Sequence, residues 1–306
     1  MQLLKSIKES LSTKFEMKDL GLLSTFLGIT FEHRDETITM SQSHYLENIL
    51  KTFGFNDCRP RTTPCEQNIN LYAEATHQIY DNHQYRQMVG SLIYAMTCTR
   101  PDLSFVVTKL SQHLSCPDPG DCTMIKHVFQ YVKKTVDRKL TFRKSSTPLR
   151  VHAFSDADWA TSVEDRRSVT GYSISLNPEG PAVSWKSKKQ SSVALSTCEA
   201  EYMAISITCQ ETIYLNRLIN ELLQSKTQPI IVKNDNQGAL ALVKNPVKHT
   251  KAKHIDIRYH FNRECYDEGS ILLDYVPSGD NVADIFTKPP KKQYLLKFEQ
   301  FLFGLK

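Results

Sequence analysis

From residue 149 onward the chain alternates between strand-like and helix-like runs in an order that few folds accommodate. Three β-rich runs come first: "LRVHAFSDADWA", "SVTGYSISL" and "AVSWKSKKQ". A helical run over roughly 197–224 follows, then the apolar strand "PIIVKND" and a short helix, "NQGALALV". A helix "IDIRYHFNRECYDEG", a strand "SILLDYV", a short helix "DNVADIFTK" and a last helix "KKQYLLKFEQFLFGL" complete the series. Strands of this length interrupted by helices pack as a mixed sheet covered by helices, an α/β arrangement. Sites in such sheets collect beyond the strand ends. Acids stand at those ends here. Asp156 ends the first strand, Asp235 ends "PIIVKND", and Asp284 lies in the short helix after the last strand. A buried carboxylate is costly unless it is paired or holds a metal.

The long helix supplies a fourth acid, and its start, "STCEAEY", offers Glu199 and Glu201. Ser196, Thr197, Cys198 and Glu199 fit the capping-box pattern, in which Glu199 folds back onto the N-cap amide. Glu201 lies two positions further, about 200° around the helix, and so on another face. Glu201 is therefore the expected ligand and Glu199 the fallback. Converging carboxylates repel one another unless a divalent cation holds them, and an oxygen-only set suits Mg²⁺ or Mn²⁺. Two such ions roughly 4 Å apart serve in-line phosphodiester cleavage, one activating water and one stabilising the leaving oxygen. Asp158 shares the parity of Asp156, so a straight strand points both to one face. The strand is expected to end between them, leaving Asp158 beside the site or bonded into the following turn.

Upstream, residues 1–20 read as an amphipathic helix, and "LSTFLGITFEHRDETITMSQ" as a hairpin. The run "SQSHYLENILKTFGF" is a helix with a serine start and a glycine stop at Gly54. Residues 56–78 read as a linker, and 82–137 as three helices, the second starting at Pro101. The end of the third helix and the residues after it are basic: Lys126, Lys133, Lys134, Arg138, Lys139, Arg143 and Lys144. That run reads either as a solvated face or as a surface that follows a phosphate backbone.

Composition narrows the class. The hydrophobic fraction of 40% belongs to a globular chain. No apolar run approaches the length of about 18 residues that a membrane span needs, and "MQLLKSIKESLSTKF" carries charge throughout, unlike a secretory signal. The 8 cysteines form no Cys-x-x-Cys pair. They read as reduced thiols of a cytosolic or nuclear protein rather than as a zinc site or disulfide frame. A net charge of +5 is compatible with a nucleic-acid partner.

The blocks "FSDADWA", "EDRRSVTGYSISL", "VSWKSKKQSSVALSTCEAEYMA", "KNDNQGAL", "KHIDIRYHF" and "VADIFTKP" resemble, in order, the ribonuclease H domain of copia-type retrotransposon polyproteins. The resemblance implies a ribonuclease H fold and cleavage of the RNA strand of an RNA/DNA hybrid with two Mg²⁺ ions. It places the catalytic, metal-holding acids at Asp156, Glu201, Asp235 and Asp284. Further upstream, "FEMKDLGLLSTFLGITFEH" and "YRQMVGSLIYAMTCTRPDLSFVV" resemble the end of that family's reverse-transcriptase palm and the helical region after it. The implied domains are a palm remnant at 1–66, a helical connection at 67–148 and a ribonuclease H domain at 149–306. The chain departs from the family in lacking the paired aspartates of the polymerase site, since no Asp-Asp pair occurs in it. DNA polymerisation by this chain alone is not expected, and the missing polymerase portion becomes a candidate partner. The loop histidine that many ribonucleases H carry before the last acid is also absent from "VPSGDNVAD". A catalytically idle or co-opted fragment that binds nucleic acid is the alternative reading.

A hybrid-binding surface needs cations for phosphates and hydrogen-bonding groups for 2′-hydroxyls. The candidates are Arg166 and Arg167 in the first turn, and Lys186, Lys188 and Lys189 on the third strand. Asn236 and Gln237 follow Asp235, and Lys251 and Lys253, with Lys248, lie in a basic loop. One of Asn236 and Gln237 is expected to cap the short helix. Trp159 and Trp185 read as packing residues.

Overall fold

The computed structural model describes residues 2–68, 81–162, 165–178, 180–224, 228–245 and 253–305. It begins with α1 (Gln2–Lys14), shorter than the helix expected over 1–20. Strands β1 (Thr25–Phe26), β2 (Ile29–Arg34) and β3 (Thr37–Ser41) form an antiparallel meander. Helix α2 (Ser43–Thr52) buries Leu46, Ile49 and Leu50, the i, i+3, i+4 stripe of its sequence. Gly54 follows with φ of 75°, the left-handed stop that glycine accepts without strain.

Helix α3 (Asn82–Cys98) is capped by Asp81, whose carboxylate accepts from the His83 amide at 3.1 Å. After a 3-10 turn at Pro101–Leu103 come α4 (Ser104–Ser111) and α5 (Pro119–Lys134). Asp118 and Asp121 close a reciprocal capping box at the start of α5. These helices and α2 share one apolar core, with Tyr85, Met88, Leu92, Leu103, Ile125 and Phe129 fully buried. The segments 1–66 and 67–148 are thus packed together.

A strand that the sequence reading lacked joins them. Strand β4 (Lys139–Arg143) pairs antiparallel with β3, Met40 opposite Leu140, and completes the sheet in the order β1-β2-β3-β4. The apolar alternation of Leu140 and Phe142 was masked by the basic residues around it. Those residues are largely engaged within the molecule. Lys139 pairs with Glu32 at 3.3 Å and Lys144 with Glu36 at 3.3 Å. Arg143 donates to the Gly304 carbonyl, and Arg138 meets Asp102 at 3.1 Å and Glu299. Arg138 and Arg143 thus serve internal contacts, whereas Lys139 and Lys144 form solvent-accessible pairs.

The second sheet contains β5 (His152–Asp158), β6 (Val169–Ser175), β7 (Ala182–Lys189), β8 (Ile230–Asn234) and β9 (Ile271–Tyr275). Its order is β7-β6-β5-β8-β9, with β5, β6 and β7 antiparallel and β5, β8 and β9 parallel. Helix α6 (Thr197–Leu223) packs on it through Tyr202, Ile205 and Cys209, and α7 (Gln237–Lys244) and α8 (Lys253–Asp267) lie beside α6. This is the mixed sheet flanked by helices that the element order implies, and it is in keeping with the ribonuclease H-like fold that the resemblance implies.

The last helix, α9 (Lys292–Phe303), joins the two sheets. Phe286, Phe298, Leu302 and Phe303 are buried with Leu140 of β4, at about 1.5–3 kcal/mol for each fully buried large apolar side chain. Gly304 has φ of 70°, and a Cβ there would come 2.1 Å from the Thr141 carbonyl oxygen. Trp185 of β7 donates its indole N–H to the Met96 carbonyl at 2.9 Å, and Thr108 donates to the Ser187 carbonyl at 3.3 Å. Trp185 is thus a packing residue at the junction. Among the described residues, no helix is long and apolar enough to cross a membrane. The N-terminal segment leaves Phe15, Met17, Leu20, Leu22 and Leu27 exposed.

Candidate active site

The acid site follows from strand register. Strands β5 and β8 run parallel, with Phe154 level with Lys233. Two residues further along, Asp156 is still on β5 and Asp235 lies just past the end of β8, on the neighbouring strand's path about 4.8 Å away. Glu201 enters from α6, whose N-cap Ser196 accepts from the Glu199 amide at 3.2 Å. One carboxylate oxygen from each of Asp156, Glu201 and Asp235 lies within 4.8 Å of the others. Glu199 is outside this group. Its carboxylate accepts from the Leu195 amide at 2.9 Å, one residue before the N-cap amide expected from the capping box.

Neutral donors hold the first two acids. Asn234 donates to Glu201 at 2.9 Å and to the Ser155 carbonyl at 3.0 Å. Asn281 donates to the same carbonyl at 3.0 Å and to Asp156 at 3.4 Å. The Thr287 hydroxyl donates to the other Asp156 oxygen. No cation touches Asp156 or Glu201 among the described ion pairs. Burial raises the proton affinity of both, and the neighbouring carboxylates raise it further. The oxygen-only donor set, its closeness and its excess negative charge fit a divalent cation.

Asp284 behaves differently. It lies in the 3-10 segment Val282–Phe286 and forms an ion pair with Lys288, outside the three-carboxylate group. Burial still raises its proton affinity, against the lowering effect of Lys288. Asp158 also departs from expectation. Strand β5 does not end before it, because Asp158 pairs with Val169 in register. Strand β8 stops at Asn234, so Asp158 projects past the neighbour that brings in Asp235. Its charge acts on Asp284 and Lys288.

The sequence reading missed Asn234, Asn281, Thr287, Lys288 and Gly171. Gly171 sits opposite Asp156 in β6. A Cβ there would meet the Ala283 carbonyl, Phe286 and Thr287, each at 2.8 Å. A glycine inside a strand is the available signal of such close approach. Gly171→Val is expected to push the 282–287 segment off the sheet, with about 1–3 kcal/mol of overpacking and loss of the Thr287 bond. Thermal melts and activity measured side by side check this, with Gly171→Ala intermediate in both.

The cationic candidates separate into groups. Lys189 pairs with Asp165 at 2.9 Å and Arg167 with the same carboxylate at 3.5 Å, so both serve the turn. Arg166, Lys186 and Lys188 are exposed. Asn236 caps α7, accepting from the Ala239 amide at 2.9 Å, and Gln237 is exposed. Lys248 and Lys251 lie outside the described residues. Lys253 begins α8, and its side chain is outside them too.

The family described as "Reverse transcriptase (RNA-dependent DNA polymerase)" matches residues 1–67. The Pol polyprotein of transposon TNT 1-94 from Nicotiana tabacum is 36% identical over 94% of this chain and 22% of its own length. That of transposon RE2 from Arabidopsis thaliana is 36% identical over 94% of this chain and 19% of its own. An uncharacterized mitochondrial protein of Arabidopsis thaliana is 38% identical over 66% of this chain and 82% of that protein. Nearly the whole chain is similar to a segment of these Pol polyproteins. It spans about a fifth of the length of those two Pol polyproteins (22% and 19%). These similarities run through both the hairpin sheet and the acid-bearing sheet. Among solved structures, an N-terminal ribonuclease H domain from Mycobacterium tuberculosis gives a TM-score of 0.36 at 13% identity, over 45% of this chain and 91% of that one.

Proposed function

We propose that residues 149–306 are a ribonuclease H that hydrolyses the RNA strand of RNA/DNA hybrids during retrotransposon reverse transcription. The observation that carries this reading is the grouping of Asp156, Glu201 and Asp235 within 4.8 Å of one another at the ends of two parallel strands. These residues would hold magnesium, with manganese as a substitute, and Asp284 would take part once freed from Lys288. Bound there, a pair of such ions supplies an activated water and stabilises the leaving oxygen of phosphodiester hydrolysis. The chain's own part is positioning. Asn234 and Asn281 fix Glu201 and Asp156 against the Ser155 carbonyl, and Thr287 fixes the second Asp156 oxygen. Arg166, Lys186 and Lys188 would meet phosphates. We take 1–66 as a palm remnant and 67–148 as a connection, without polymerase activity of their own because no Asp-Asp pair occurs in the chain.

The test is a labelled RNA/DNA hybrid with Mg²⁺, mixed with the chain and with its Asp235→Asn variant. Cleavage of the RNA strand by the first and none by the second is expected. A folded wild type that leaves the hybrid intact would overturn the reading, and cleavage surviving in the variant would overturn the site.

A further inference from the structure

Beside the acids stands an apolar ridge that the fold holds in water. Leu195 is 81% exposed, Val193 45% and Trp159 43%, whereas Ala194 between the two aliphatic residues is 2% exposed. The segment carrying them is tied down at several points. Gln190 donates to Thr170 Oγ1 at 3.0 Å and to the Ala200 carbonyl at 2.9 Å. The Ala194 side chain packs with Ala157, Ala200 and Met203, and its carbonyl accepts the Trp159 indole N–H at 2.9 Å. The Leu195 amide donates to Glu199 at 2.9 Å. Trp159 is fixed from the other side, because Ala160 turns with φ of 53° and donates to Ser168 Oγ at 3.2 Å. With Ala194 pinned inward, alternation leaves Val193 and Leu195 outward. A loop free to move would fold such residues under, but this one cannot.

Position names the occupant. Trp159 comes three residues after Asp156, in the turn that follows β5, and Leu195 sits one residue before the N-cap of the helix that carries Glu201. Exposed Arg166 lies in the turn after Trp159, and exposed Lys186 and Lys188 on β7. An apolar edge flanked by cations and adjoining a phosphodiester-cleaving site matches a nucleic-acid strand. Its bases and sugars offer faces to aromatic and aliphatic side chains, while its phosphates reach the cations. We infer that Trp159, Val193 and Leu195 are positioning residues that pack against the sugar and base faces of a strand entering the site. This rests on the nuclease reading above.

Kinetics and fluorescence test the two separately. Trp159→Ala and Leu195→Ser are expected to raise KM for a hybrid roughly tenfold, the scale of one lost stacking contact, and to change kcat far less. Trp159→Phe is expected to restore most of the loss. Titrating hybrid into the wild type in the presence of a chelator should quench tryptophan emission, and the response should vanish in Trp159→Phe. Leu195→Ser keeps the test sound if Trp159→Ala fails to fold, since Leu195 makes no buried contact to lose. A wild type that cleaves hybrid, with both KM values within twofold and emission unchanged, would overturn the inference and spare the nuclease. Quenching without cleavage would keep the ridge as a nucleic-acid contact and remove the nuclease. Self-association abolished by Leu195→Ser, with no response to hybrid, would assign the ridge to a protein contact and overturn the inference.

Discussion

Asp156→Asn is expected to make the metal-free protein more stable while removing the nuclease activity proposed above. Asp156 and Glu201 are buried side by side and bonded by neutral donors, with the Lys288 charge offsetting part of the repulsion at Asp156, so in the absence of a bound metal their charges oppose folding. An asparagine keeps the shape and the acceptor that Thr287 uses, and removes one charge. Melting should rise by about 2–4 °C for each kcal/mol of repulsion relieved. The gain has a pH signature. Both carboxyls have folded-state proton affinities raised above their unfolded values. Their contribution to stability is therefore fully present below the ordinary carboxylate range and is lost as pH rises through the raised folded values. The variant's advantage should vanish in acid and grow toward neutrality. Activity moves the other way, by about a thousandfold or more, because a divalent cation contributes several kcal/mol to the transition state. Melts across pH with a chelator, alongside hybrid cleavage with Mg²⁺, check both arms. A variant less stable than wild type at neutral pH without metal would contradict the account.

The second large effect lies far from the acids. Arg100 is fully buried and grips Asp102 with two bonds, at 3.0 and 2.8 Å, while donating to Thr135 Oγ1 at 2.6 Å. Tyr131 donates to the same Asp102 at 2.7 Å, and Arg138 completes the cluster from the strand side. Burial alone would raise the Asp102 carboxyl; the Arg100 and Arg138 charges and their bonds overcome it and hold the group at about 2. Arg100→Ala leaves that carboxylate buried with half its partners and should cost about 3–5 kcal/mol. A urea midpoint shifted at unchanged slope is the measurement. Because the Asp102 affinity is depressed, its contribution is present above the unfolded value of 3.8 and lost as pH falls toward 2. Acid thus weakens the helical half while relieving the acid-bearing one.

Much of the acid-bearing half was legible because its signals are local. Strand alternation, a helix start at Ser196 and acids after apolar runs place Asp156, Glu201 and Asp235 without tertiary knowledge, and the 200° offset separates Glu201 from Glu199. What could not be read depends on contacts across the chain. Thr287 reaches Asp156 across 131 residues, and Asn281 across 125. Strand β4 escaped notice because pairing with β3, rather than composition, makes it a strand. The ion pairs of the basic run beside it were hidden because the acidic partners Glu32, Glu36 and Glu299 are distant in sequence. Lys288 was hidden for the same reason that it matters: it answers the charge of Asp284, one turn before it.

The place of α9 bears on the order in which the molecule can be made. Leu140 is among the buried residues that Phe298, Leu302 and Phe303 cover, some 160 residues later in the chain. During synthesis the first sheet can pair its strands early, yet one face stays uncovered until residues 292–303 leave the ribosome. At about 5–20 residues per second that is an interval of roughly ten to thirty seconds. A growing chain in that interval presents Leu140 and Phe142 to whatever is nearby, so its yield should depend on how quickly synthesis proceeds and on which chaperones attend it.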